Sequence, residues 1–132
     1  AEAYRTTAKE AMISDSRSEM ARWIHEIKES PRLVMMALNN AKAAEACDLL
    51  TPAQLFQAYN PDQNIQKGTI NGLSRELRNA NVFKTNRGAK VMTKAGTQTF
   101  FIIRNKDKWI KAQPKAAAEH WEQFWLGKKH QG

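Results

Sequence analysis

Eleven cations fall between positions 67 and 111: Lys67, Arg75, Arg78, Lys84, Arg87, Lys90, Lys94, Arg104, Lys106, Lys108 and Lys111. Only Glu76 and Asp107 oppose them, so this segment carries +9, the whole 132-residue chain +8, and everything else −1. Positive charge confined in this way suits phosphate neutralisation, because each Lys or Arg laid on a duplex releases condensed counterions. The polar residues among the cations suit the same surface. Arg can bond a guanine edge in two places, Asn an adenine edge, and Ser, Thr or backbone amides can anchor phosphate. The candidate nucleic-acid-binding residues are therefore Lys67, Thr69, Asn71, Ser74, Arg75, Arg78, Asn79, Lys84, Arg87, Lys90 and Lys94. A charge run is equally an ordinary solvated face, and the same fold shape can serve to dock protein.

Other chemistries find no comparable grouping. His25, His120 and His130 are scattered, and the run at His25 is not His-Glu-x-x-His. Cys47 is the single cysteine, without a disulfide partner or a Cys-x-x-Cys pair. Asp62, Asp107 and the helix glutamates form no paired carboxylates of the kind a two-metal nuclease needs. No catalytic residue, metal or cofactor is expected. Trp23, Trp121 and Trp125 fall on apolar helical faces and read as core. Trp109, between Lys108 and Lys111, reads as core or as a platform for an unpaired base.

These residues need elements to hold them. Ser16 stands three before Glu19 at capping-box spacing and predicts a helix over 17–30 with Met20, Trp23, Ile24 and Ile27 on one face. Pro31 opens a second helical run through "RLVMMALNNAKAAEACDLL". Thr51 and Pro52 then start a short helix with Leu55, Phe56 and Tyr59 on its apolar stripe, stopped by Asn60-Pro61. Thr69 caps a second helix carrying Ile70, Leu73 and Leu77 inward, with Asn81 as its stop. "VFKTNRGAKVMT" and "TQTFFIIRN" alternate as strands about a "KAG" turn, where Gly96 supplies a positive φ. Pro114 opens a last helix with Ala118, Trp121, Phe124 and Trp125 on one side, ended by Gly127.

Helix, turn, helix, strand, strand is the order of a winged helix, whose second helix can enter the major groove while the hairpin lies along the backbone. The expected fold class is α+β, mostly helical: a winged helix-turn-helix over 49–112, an N-terminal helical segment over 1–48, and a C-terminal helix and tail over 113–132. The lone cysteine suits a reducing cytosol. No run approaches eighteen consecutive apolar residues, so no membrane partner is expected. The start lacks Met and enters helix-forming residues at once, which points to a piece of a longer polypeptide.

The pieces "DSRSEMARWIHEI", "DLLTPAQLFQAYNP", "TINGLSRELRNANV" and "FFIIRNKDKWIKAQP", in that order, resemble the C-terminal region of phage and prophage primase-helicases with a superfamily 3 ATPase core. Phe100 to Trp109, an apolar run followed by Arg-Asn and a Trp, is the most distinctive of them. The resemblance implies a replication protein of a bacterial host cytosol, with the ATPase and, in many members, a primase or polymerase module upstream. The phosphate-binding Gly-Lys-Ser/Thr is missing from this chain, so ATP hydrolysis is not expected of it. DNA, in duplex, forked or single-stranded form, is the expected partner. Two alternatives stand beside that reading. One is an adaptor whose near-neutral helices over 20–38 and 117–126 support self-association or dock replication proteins; the other is a stand-alone DNA-binding regulator.

Overall fold

Ser16 caps nothing. In a computed structural model of the chain, which describes residues 2–126 and side chains from Ser16 onward, α1 runs unbroken over Glu2–Glu29. Alanine, glutamate and lysine upstream of Ser16 are strong helix formers and carry the helix through it. The freed Ser16 hydroxyl instead donates to the Lys67 carbonyl at 2.9 Å. The second helical run is also revised. It breaks into α2 (Arg32–Ala37) and α3 (Ala41–Ala46) because Asn39 turns left-handed at φ 59° and Asn40 caps afresh, accepting from the Ala43 N–H at 2.9 Å.

Helix α4 (Pro52–Tyr59) starts at Thr51 as expected, with a complete Thr51–Gln54 capping box. The Gln54 side-chain oxygen also accepts from Trp121 Nε1 at 2.8 Å, which ties this cap to the last helix. Helix α5 (Ile70–Asn79) starts at Thr69, whose hydroxyl accepts from the Gly72 N–H at 3.0 Å. Asn81 ends the turn after it at φ 66°. Between the two helices lies a long turn rather than a tight one. Asn60 and Asn64 exchange bonds of 2.9 Å, Lys67 Nζ donates to the Tyr59 carbonyl at 2.9 Å, and Ser16 and Tyr59 hydroxyls both face the Lys67 carbonyl. Gly68 closes it at φ 106°, and an added Cβ would run into Met20 and Ser16 of α1.

The strands are shorter than the alternation predicts. β1 (Leu49–Leu50) pairs antiparallel with β4 (Phe101–Ile102), and Lys84 bridges Phe101 from the other side. β2 (Val91–Thr93) and β3 (Gly96–Gln98) form a separate hairpin. The predicted first strand fails over 85–88, where Asn86, Arg87 and Gly88 are successively left-handed and make an irregular turn. The predicted second strand splits because Phe101 and Ile102 leave the hairpin to pair with β1. The "KAG" turn is as expected, with Gly96 at φ 102° and Thr93 Oγ1 donating to the Gly96 carbonyl at 2.7 Å.

The chain is α+β and dominated by helix. A short α6 (Lys106–Trp109) precedes α7 (Pro114–Trp125); the predicted stop at Gly127 lies outside the described residues, as does His130. One buried cluster joins Met20, Ile24 and Ile27 of α1 to Val34, Met35, Leu55, Tyr59, Leu73, Leu77 and Phe101. A second packs Leu49, Val91, Phe100 and Ile102 against Trp109, Ala117, Ala118 and Trp121. Large-to-small changes at such sites cost about 2–5 kcal/mol each, enough to consume much of a small domain's stability. Among the described residues no helix is long and apolar enough to cross a membrane.

Candidate nucleic-acid interface

Leu73 and Leu77 bury one side of α5, so the residues opposite must face water. At about 100° per residue, Asn71, Arg75 and Arg78 share one line along the helix, with Ser74 and Asn79 flanking it over roughly 140° of arc. All but the half-buried Ser74 are exposed. Glu76, the one carboxylate on the helix, lies off that face and is taken up by Arg17 of α1 at 3.6 Å. Lys28 of α1 donates to the Ala80 carbonyl at 2.6 Å, closing the carboxyl end of α5. Both contacts come from α1, which therefore sets how far α5 stands out.

Lys84 follows in extended backbone. Its ammonium lies 5.1 Å from the Phe101 ring centroid, and its pKa is lowered, first by burial and then by the nearby Arg78. That coupling joins the end of α5 to the start of the basic loop. Arg87 and Lys90 are exposed there, Arg87 in the left-handed region at φ 59°, a conformation that costs a non-glycine residue about 1–2 kcal/mol. The Asn86 N–H donates to the Ile110 carbonyl at 2.9 Å and the Thr85 N–H to the Phe100 carbonyl at 2.9 Å, so the turn is held from both strands of chain behind it. Lys94 is exposed at the hairpin turn.

Two expected residues have structural work. Lys67 donates to the Tyr59 carbonyl and sits 4.7 Å from that ring, and Thr69 is occupied as the cap of α5. Of the other nine, Ser74 and Lys84 are half-buried and the rest exposed, and the Arg78–Lys84 proximity links the end of α5 to the loop that leads to the hairpin. One feature beside them was invisible to spacing: Glu122 of α7 accepts from the Lys94 N–H at 2.7 Å, placing a carboxylate at the hairpin turn.

The most distinctive sequence run, Phe100 to Trp109, wraps a buried carboxylate. Asp48, 4% exposed, accepts from Trp109 Nε1 at 2.8 Å and from Asn105 Nδ2 at 3.1 Å. His120 Nε2 accepts from the Asp48 N–H at 2.9 Å, with its ring between Trp109 and Phe124. Burial holds the His120 pKa below its ordinary value, Asp48 opposing and Lys108 assisting. Arg104 donates to the carbonyls of Ala44 and Cys47 and so closes the end of α3. Trp109 is thus core, and Arg104 is a helix cap rather than a phosphate ligand. No signal in one sequence could link Asp48 to residues 57 and 61 positions away.

Burial also raises the Cys47 thiol pKa, keeping it protonated, and among the described residues no three His, Cys, Asp or Glu gather to hold a metal ion. Trp121 is buried and Trp125 half-buried against this chain's own core, so the apolar side of α7 is already covered. No protein-family model, curated protein or solved structure matches the chain.

Proposed function

We propose that the chain is a winged-helix DNA-binding module of a phage-type replicative primase-helicase, gripping duplex or forked DNA chiefly by its phosphates. The observation that carries this is the exposed α5 face of Asn71, Arg75, Arg78 and Asn79, its one carboxylate turned aside and paired, leading through Lys84 into the basic loop and hairpin. Ten residues give α5 a length of about 15 Å, enough to lie along a major groove about 12 Å wide. Lys84, Arg87 and Lys90 then fall where the loop would meet the backbone. The replication assignment rests on the sequence resemblance alone. Titration of labelled duplex, forked and single-stranded DNA at two salt concentrations tests the reading. Failure to bind both duplex and forked DNA, or binding to them that is insensitive to salt, overturns it.

A second reading, an adaptor for a replication protein or another copy of the chain, draws on Leu33 and Met36, which stand 51% and 46% exposed on α2. Light scattering of the wild type and a Leu33→Ser/Met36→Ser variant tests the self-association form of it: a strict monomer in both, able to bind DNA, counts against the adaptor.

A further inference from the structure

Lys106 and Lys108 have no place in the duplex reading, yet both stand exposed on α6. Beside them is an aromatic that the core does not absorb. Phe83 lies between buried Val82 and half-buried Lys84, and is itself 36% exposed. Its backbone is held, since the Phe83 carbonyl accepts from the Ile102 N–H at 2.8 Å, while its ring meets the Lys106 ammonium 4.7 Å from the centroid.

We propose that Phe83 and Lys106 form a separate contact for an unpaired nucleotide strand, the ring stacking on a base and the lysines of α6 taking the flanking phosphates. Every base offers a π-face, so such a platform needs an accessible ring and cations within reach, and it reads no sequence. Both are present. Lys106 lies over the ring on a four-carbon stem, free to swing from the π-face to a phosphate as a base arrives. Asp107, the one carboxylate on α6, is outnumbered by Lys106 and Lys108 on the same turn. In extended chain successive side chains point to opposite sides, and here Lys84 turns to Phe101 and Arg78 while Phe83 turns to Lys106. The two surfaces therefore share one stretch of backbone, with α5 and the basic loop on one side and the aromatic contact on the other. This inference stands apart from the duplex reading and can survive its failure.

The experiment is an anisotropy titration of the full chain with labelled oligothymidine of about 12 nucleotides and with an abasic strand of the same backbone. Oligouridine as a third ligand separates DNA from RNA as the source of the strand. The expected result is that wild type prefers thymidine to the abasic strand by about tenfold, that Phe83→Ala removes the preference, and that Phe83→Tyr keeps it. Lys106→Ala weakens both strands equally. Circular dichroism and melting establish that Phe83→Ala is folded, and Phe83→Tyr serves if it is not: Tyr keeping the preference supports the contact, and Tyr losing it while folded counts against it. Equal affinity of wild type for base-bearing and abasic strands, or an unchanged preference in folded Phe83→Ala, overturns the proposal. Loss of duplex binding in Arg75→Ala/Arg78→Ala with the thymidine preference intact shows that the two surfaces are independent.

Discussion

Replacing Arg75 and Arg78 together by alanine removes two cations from the exposed face of α5 and touches neither of the buried leucines behind them. If Arg75, Arg78, Lys84, Arg87, Lys90 and Lys94 each neutralise one phosphate, the logarithm of the duplex association constant falls against the logarithm of salt with a slope of about −5.4. Raising salt from 50 to 200 mM then weakens binding roughly two-thousandfold. The double variant should bring the slope to about −3.6, because each lost contact removes about 0.9. Asn79→Ala should change affinity and leave the slope where it was, since an amide releases no counterion. Fluorescence anisotropy over four or more salt concentrations measures both quantities. An unchanged slope in the folded double variant refutes the placement of α5 on the duplex, whatever happens to the affinity at one salt concentration.

Asp48→Ala leaves Trp109 Nε1 and the Asn105 amide without their acceptor, and should cost about 2–4 kcal/mol in urea unfolding while the folded fraction keeps its duplex affinity. His120 has a folded pKa below its unfolded one, so the unfolded chain binds more protons as pH falls. The His120 contribution to stability is therefore full above pH 6.5 and is lost as pH drops through the folded pKa, which melting at pH 7.5 and 5.5 reads against a His120→Gln control. Glu122→Gln keeps an acceptor for the Lys94 N–H but removes a negative charge from the hairpin turn; duplex affinity at low salt should rise about twofold to fivefold, and an unchanged affinity places that turn away from DNA.

The helix starts that carry the interface were legible because they are local. Thr51 with Pro52, and Thr69 before an apolar stripe, each satisfy free amides within one turn, and the structure uses both. Ser16 and Glu19 show the limit of the same rule: capping spacing is not sufficient for a helix start, and it yields when the upstream residues favour helix as strongly as those downstream. The strands were less legible because alternation does not specify a partner. Phe101 and Ile102 alternate acceptably with the hairpin, yet they pair, buried, with Leu49 and Leu50, more than fifty residues away. Asn86 to Gly88 hid a left-handed turn inside an apparently strand-like run. Its Asn and Gly were the available signal, but the turn that puts Arg87 in the same conformation is anchored through the Asn86 and Thr85 N–H groups on the Ile110 and Phe100 carbonyls, which no short window of sequence contains.

The charge that first draws attention to residues 67–111 divides once packing is known. Arg104 is consumed in closing α3, and Lys67 is bound to the Tyr59 carbonyl; neither can leave for a phosphate without breaking a contact inside the protein. Lys84 is intermediate, half-buried with a lowered pKa, and a phosphate arriving beside it would favour the charged form that burial disfavours. Its side chain is therefore the place where folding and binding compete most directly. Arg75, Arg78, Arg87, Lys90 and Lys94 are exposed, and their own side chains make no hydrogen bond or ion pair among the described residues; the Glu122 carboxylate at the Lys94 N–H offsets part of this positive charge, and an anionic ligand would offset more. A surface of that kind is destabilising in isolation and becomes favourable on binding, and for that reason alanine at these positions should leave folding stability unchanged or slightly raised while it weakens DNA binding.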